Sequence, residues 1–214
     1  MEIGASAGRN GEPSSDVDVI LKEHTRSRVS VRKTGNVAGK IDFPLHGDGL
    51  PLIHIFNYIS TYKRDYNEAP STIGAVGTFY GAPGFPASMP LAWNDAMWAK
   101  YKVGELLKLI DPATKAPTVR NMFFRPRPGD PVLFNGAMAQ AGIESLQQMG
   151  ATFLMCNNAF MAWVGFLSGA GNKGNPAVIE RDIRANLLPG VVTVPAMVIA
   201  IEKAQGKGIA YNRQ

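Results

Sequence analysis

Short strand-like segments alternate with helical patterns along most of the chain, and this alternation is the strongest constraint on the fold. Residues 151–156 form an apolar run, and 191–194 are mostly β-branched, as expected of buried strands. Strands that alternate with helices predict a mostly parallel sheet with helices on both faces. The five predicted strands cover 40–45, 71–79, 151–156, 191–194 and 209–211.

The predicted helices follow from apolar stripes and from breaks at proline and glycine. Near the start of the ordered region, Ile41, Phe43 and Leu45 alternate with polar residues or proline, which predicts the first strand. Residues 111–136 hold too many prolines for regular structure and are expected to run over the surface. A first helix is predicted directly after the turn at 46–49. Later helices are predicted at 91–110, 137–149, 157–168, 176–187 and 195–205.

The chain is long enough for one domain with a full core and short for two. Residues 1–35 are rich in glycine, serine and charge without a clear period, which predicts a flexible N-terminal arm. Residues 36–214 are predicted to form a single α/β domain, interrupted by an irregular insertion at about 81–136.

Charge and hydropathy exclude several classes of protein. Hydrophobic residues make up 45% and charged residues 18%, with a net charge of +5. No segment combines dense Lys and Arg with aromatic residues, so no nucleic-acid partner is predicted. No apolar run is long enough for a membrane span, and the N-terminus lacks the apolar core of a secretory signal. The expected location is the cytoplasm for the chain as written, or the periplasm if an export signal has been removed.

Cys156 is the only cysteine, and it ends a predicted strand directly before a helix. The free N–H groups at a helix start can stabilise a thiolate, and ligands of parallel α/β sheets bind at the carboxyl ends of the strands. The alternative is an inert thiol that fills space in the core. A single cysteine excludes an intrachain disulfide, so any resolving step needs another thiol.

Other chemistry-bearing residues do not form recognisable motifs. His24, His46 and His54 are scattered without a metal-binding spacing, so no metal is predicted, and no nucleotide fingerprint indicates a cofactor. His46 and Asp48 are compatible with half of a metal or acid–base site at the end of a strand, or with a capping turn. Three arginines are available as cations but are expected to be solvated: Arg120, Arg125 and Arg127.

The C-terminal third resembles the DsrE/DsrF-like superfamily. The resemblance rests on the strand ending in Cys156-Asn-Asn158, on Leu187-Leu-Pro-Gly-Val-Val-Thr-Val-Pro-Ala-Met-Val198, and on Lys203-Ala-Gln-Gly-Lys-Gly-Ile-Ala-Tyr211. It is firm over 150–211 and looser over 36–80. Members typically have Cys-Gly-Asn where this chain has Cys-Asn-Asn, so Asn157 is a departure from the pattern.

The resemblance implies a three-layer α/β/α sandwich around a five-stranded parallel sheet, a bacterial source, and a homo-oligomer, trimer or hexamer. The best-understood members carry sulfur on the matching cysteine as a persulfide and exchange it with donor or acceptor proteins. By that resemblance Cys156 is the catalytic residue of a sulfur carrier or sulfurtransferase. The apolar content of 91–110 and 157–168 also suggests subunit contacts.

Two other functions compete with sulfur transfer. The chain is alternatively a non-catalytic oligomeric binding or structural subunit in which Cys156 is buried. A third hypothesis is an enzyme that binds a small molecule at the strand ends, with Asp48, Tyr80 and Asn158 converging. The predicted substrate-binding residues are Asn157, Asn158, Tyr80 and Asp48.

Overall fold

The computed structural model describes residues 37–214, so the predicted N-terminal arm lies outside the described residues. Its centre is a sheet of five parallel strands in the order β4-β3-β2-β1-β5. The predicted α/β class and the mostly parallel five-stranded sheet are therefore confirmed. The strands are β1 Val37–Asp42, β2 Ile73–Phe79, β3 Ala151–Cys156, β4 Val191–Val194 and β5 Ala210–Arg213.

Seven α-helices connect and cover the strands. Helices α1 and α4 pack together on one side of the sheet, and α7 lies on the other, against β3 and β5. Helix α5 packs on α6 and donates the Trp163 indole N–H to the Gly81 carbonyl at 3.0 Å. The helices are α1 Leu50–Asp65, α2 Asp95–Lys100, α3 Val103–Leu107, α4 Ile143–Gln148, α5 Asn157–Ser168, α6 Pro176–Ala185 and α7 Met197–Gln205.

The first strand ends earlier than the predicted 40–45. Phe43 leaves the ladder because its N–H donates to the Thr78 hydroxyl at 3.1 Å, and Pro44, which follows, has no N–H to donate. The strands predicted at 71–79 and 209–211 are likewise shifted by two residues or fewer, whereas 151–156 and 191–194 match the structure.

The helix predicted over 91–110 is wrong as a single element. Its start is a 3₁₀ turn at Met89–Ala92, and α2 and α3 are separated by Lys102, whose φ of 54° is left-handed. Gly104 explains the break, because a Cβ there would lie 2.2 Å from the Thr118 carbonyl oxygen. The helix predicted over 137–149 is also shorter, since Gly142 is extended and only α4 follows.

The expectation that 111–136 runs over the surface is wrong for four of its apolar side chains, although Val119 and Phe134 are exposed. Met122, Phe123, Val132 and Leu133 are buried, and the Phe123 ring lies 6.4 Å from that of Trp98. The segment therefore supplies part of the core. It covers the apolar side chains of α2 and α3 without a second subunit.

The two faces of the sheet differ in polarity. On the α1 face, Phe79 and Phe153 stack with ring centroids 5.0 Å apart. On the α7 face, β1 and β2 present Lys40, Asp42 and Thr78, all buried. Since helices cover both faces, the polar alternation of β1 points into the protein and not into solvent. A site with charged groups is thereby built into the α7 side.

Candidate functional site

The Cys156 thiol lies between two helix starts. Cys156 is the last residue of β3, and its backbone precedes the first turn of α5. Its sulfur accepts a hydrogen bond from the backbone N–H of Met197 at 3.3 Å, and Met197 opens α7. The N–H that reaches the sulfur thus belongs to α7, because Cys156 pairs in register with Val194 just before that helix.

Burial limits access to this sulfur. Cys156 is 6% exposed and belongs to the hydrophobic core, as do Phe160 and Trp163 of α5. Near the start of α7, Pro195 and Val198 are exposed, whereas Met197, which contacts the sulfur, is buried. A reagent therefore reaches the thiol only where the structure opens locally.

A buried carboxylate, Asp42, is the centre of a polar cluster at the same edge of the sheet. One of its oxygens accepts from the Thr78 hydroxyl, and the other accepts from both the Tyr80 and the Tyr211 hydroxyls, each at 2.9 Å. Burial raises the pKa of Tyr80, and the hydrogen bond to Asp42 raises that pKa further. The same two causes raise the pKa of Tyr211. Both phenols therefore stay protonated and donate to Asp42.

Lys40 supplies a buried cation on the same face of the sheet as Asp42, two residues earlier in β1. It is 1% exposed, and its ammonium contacts the Met197 thioether sulfur at 3.8 Å. Burial lowers the pKa of Lys40 from 10.5 to about 8, and the Asp42 carboxylate only partly opposes that effect. Among residues 37–214 this ammonium has no oxygen acceptor. Met197 thus contacts Cys156 with its N–H and Lys40 with its sulfur.

The predicted substrate-binding residues do not share one site. Tyr80 belongs to the Asp42 cluster. Asn157 accepts a hydrogen bond from the exposed Arg184 at 2.6 Å, and Asn158 is exposed, with its backbone N–H on the Pro195 carbonyl. Both asparagines directly follow Cys156 in sequence. The Asn157 side chain contacts α6, however, and Asn158 is exposed to solvent.

Asp48 is not part of this arrangement. Its carboxylate is 74% exposed and lies 3.5 Å from the buried His46 ring. Since His46 Nδ1 accepts from the Asp48 backbone N–H and burial lowers the pKa of His46, that ring is neutral near pH 7. Within the described part of the chain no hydrogen bond joins Asp48 to Tyr80 or Asn158, so the hypothesis of their convergence gains no support.

The arginines that were candidate cations have other partners. Arg120 is ion-paired with the buried Asp130, and Arg125 with Glu144. Together with Arg127 they line a cleft of about 430 Å³ beside Leu187 and Pro189, whose lining does not include Cys156. The expectation of a solvated side chain is wrong for Arg120, which is largely buried.

Sequence reasoning missed Lys40, Asp42, Thr78, Tyr211 and Met197. A signal for the first two was present: charged residues inside a strand of a sheet with helices on both faces must be buried. Buried charges of this kind are uncommon without a role, so Lys40 and Asp42 should have been candidates. Tyr211 and Met197 carry no such signal, because they meet β1 only through the tertiary fold.

Comparisons with known proteins do not assign the chain to a family. No model of a known protein family matches it, and no curated protein is similar enough to count as a relative.

In residues 37–214 no three His, Cys, Asp or Glu side chains are grouped as a metal site would require. None of the helices described there is long and apolar enough to cross a membrane.

Proposed function

We propose that the protein is a DsrE-like sulfur carrier that takes up and passes on sulfur as a persulfide of Cys156. The observation that carries the proposal is the hydrogen bond from the Met197 N–H to the Cys156 sulfur at the start of α7. A helix start and a donated N–H both favour negative charge on sulfur, which is the nucleophilic form.

The chemistry needs no cofactor. The Cys156 thiolate attacks the terminal sulfur of a donor persulfide, R–S–SH, and forms a new S–S bond while the donor's S–S bond breaks. The electron pair of the broken bond leaves with the donor as the thiolate RS⁻. In the second half, an acceptor thiolate attacks the outer sulfur of the Cys156 persulfide and releases the Cys156 thiolate. Sulfur moves at constant oxidation state, so no external oxidant is consumed.

Uptake of sulfur at Cys156 is the direct test. After incubation with inorganic polysulfide and removal of excess reagent, we expect the intact mass to rise by one sulfur atom in the native protein and not in Cys156→Ser. Met161→Ser, which removes an exposed sulfur from α5, the helix that follows Cys156, is the matched control and should still take up sulfur. A native protein that takes no sulfur from polysulfide or from glutathione persulfide would refute the proposal.

A second candidate function follows from burial. Because Cys156 is largely enclosed, a non-catalytic binding or structural subunit with an inert thiol also accounts for its position. In that case iodoacetamide at pH 7 modifies Cys156 far more slowly than a free thiol, and Cys156→Ser leaves binding to partners intact.

The proposal includes a homo-oligomer, trimer or hexamer. The apolar side chains of α2 and α3 are buried within the single chain, so they give no support for an oligomer. Its support now comes from α7, where Val198 is 70% and Ile199 is 50% exposed. We expect light scattering to give a multiple of 23.0 kDa, and Val198→Glu to lower it. A mass of one chain at micromolar concentration would contradict this part.

A further inference from the structure

Lys40 is a buried ammonium, and its counter-charge Asp42 accepts no hydrogen bond from it. Its ammonium carries three N–H donors, yet among the described residues its only hydrogen-bond acceptor is the Met197 thioether, which is a weak one. A buried ammonium without an oxygen acceptor is costly, so an anionic ligand bound beside it would gain a strong interaction.

Met197 separates this cation from the thiol. The Met197 backbone N–H reaches the Cys156 sulfur at 3.3 Å, and its side-chain sulfur reaches the Lys40 ammonium at 3.8 Å. Met197 therefore contacts both groups, the thiol with its backbone and the ammonium with an unbranched, adaptable side chain. Rotation of that side chain would bring a ligand into contact with both groups.

We propose that Lys40, Met197 and Cys156 form a receptor for a small anionic sulfur donor of the inorganic polysulfide class. The donor displaces the Met197 thioether, and the Lys40 ammonium binds its negative charge beside the Cys156 sulfur. This inference rests on the proposed function, and it specifies the donor: a small anion in preference to the persulfide of a large protein.

Charge and burial both favour this donor class. A thiolate repels an approaching anion, and the Lys40 cation offsets that repulsion at short range in a site shielded from water. Because Cys156 is only 6% exposed, the persulfide of a large protein has little room to reach its sulfur, whereas a chain of a few sulfur atoms is slender. In the transfer step the thiolate attacks a sulfur of the polysulfide, one S–S bond forms and another breaks, and the shortened polysulfide leaves with the electron pair.

Two alkylating reagents isolate the electrostatic part of the proposal. Iodoacetate is anionic and iodoacetamide is neutral, and both react with the same thiolate, so the ratio of their rate constants is independent of the thiolate fraction. Cys156 is the only cysteine, so the modified mass reports this site alone. We expect Lys40→Met to lower the iodoacetate-to-iodoacetamide ratio about tenfold.

Matched variants of the full chain complete the design. Lys203→Met removes one exposed charge from α7 and should change the ratio less than twofold, whereas Lys40→Arg should preserve it. Met197→Ala should raise the ratio, because it opens the space beside Lys40, and this variant keeps the inference testable if Lys40→Met does not fold. An unchanged ratio in Lys40→Met, or in Met197→Ala where Lys40→Met fails to fold, would overturn the receptor.

Sulfur uptake separates this inference from the function on which it rests. With inorganic polysulfide, Lys40→Met should form the Cys156 persulfide about tenfold more slowly. The reaction of Cys156 with a neutral organic trisulfide, R–S–S–S–R, expels RS⁻ and leaves an R–S–S adduct on the cysteine, and its rate should stay unchanged. Equal slowing with both donors would overturn the assignment of the donor class while leaving the sulfur carrier in place. No uptake from any donor, with the alkylation ratio still dependent on Lys40, would refute the sulfur carrier and the polysulfide donor and leave an anion site.

Discussion

Replacing Asp42 by leucine is expected to lower the free energy of unfolding by about 3–5 kcal/mol. The substitution removes the acceptor of three hydroxyl donors, Thr78, Tyr80 and Tyr211, and it leaves the buried Lys40 without its nearby counter-charge. Thr78 is buried and Tyr80 half-buried, and a buried donor without a partner costs about 1–3 kcal/mol, whereas Tyr211 is 39% exposed and can turn to water. The unpaired Lys40 charge and the two enclosed donors together account for the size of the effect. Urea denaturation at pH 7 measures it.

Two controls accompany this prediction. Asp48→Asn removes an exposed carboxylate from the turn after β1 and should change stability by less than about 0.5 kcal/mol. Asp42→Asn keeps one oxygen acceptor and should fall between the two. Because Tyr211 links β5 to Asp42, hydrogen exchange in β5 should also accelerate in Asp42→Leu. A loss under about 1 kcal/mol would show that the cluster contributes little to the fold.

The parallel sheet was predictable because its signal is local. The runs that became β3 and β4 are apolar or β-branched over their whole length, and patterns of this kind survive in the folded protein. The position of Cys156 at the end of β3 follows from the same run. The break between α2 and α3 was not predictable, since it depends on the Gly104 backbone meeting Thr118 across the fold.

The candidate site was only half predictable, for a physical reason. The alternation of Lys40 and Asp42 with Ile41 predicts a strand, which is correct, but the pattern alone does not show that these charged side chains are buried on a face covered by a helix. The partners of that face are distant in sequence: Tyr211 is 169 residues from Asp42, and Met197 is 157 residues from Lys40. No period or motif links residues at such separations.

Replacing Lys40 by methionine is expected to raise the free energy of unfolding at pH 7 by up to about 3 kcal/mol. Folding lowers the pKa of Lys40 from 10.5 to about 8, a difference of roughly 2.5 pKa units at about 1.4 kcal/mol each. At pH 7 the ammonium is charged in both states, and the folded protein bears the full cost of holding that charge in a buried site. Methionine has a similar length and no charge, so it removes this cost.

The stabilising effect of Lys40→Met should depend on pH, because the charge on Lys40 does. Between pH 8 and 10.5 the unfolded chain binds more protons at Lys40 than the folded protein does, so the native protein gains stability as the pH rises. Lys40→Met lacks this gain. The stability difference between the two proteins should therefore be largest below pH 8 and shrink above it.

Urea midpoints from pH 7 to 9.5 measure that difference, and the upper limit keeps Tyr80 and Tyr211 protonated in both proteins. Lys203→Met, an exposed substitution on α7, should show a constant difference from the native protein across the same range. A Lys40→Met variant that is less stable than the native protein at every pH would mean that the ion pairing of Lys40 with Asp42 outweighs its desolvation. In that event Lys40 would be a structural counter-charge of the Asp42 cluster, and its ammonium would not be free to bind an anionic donor.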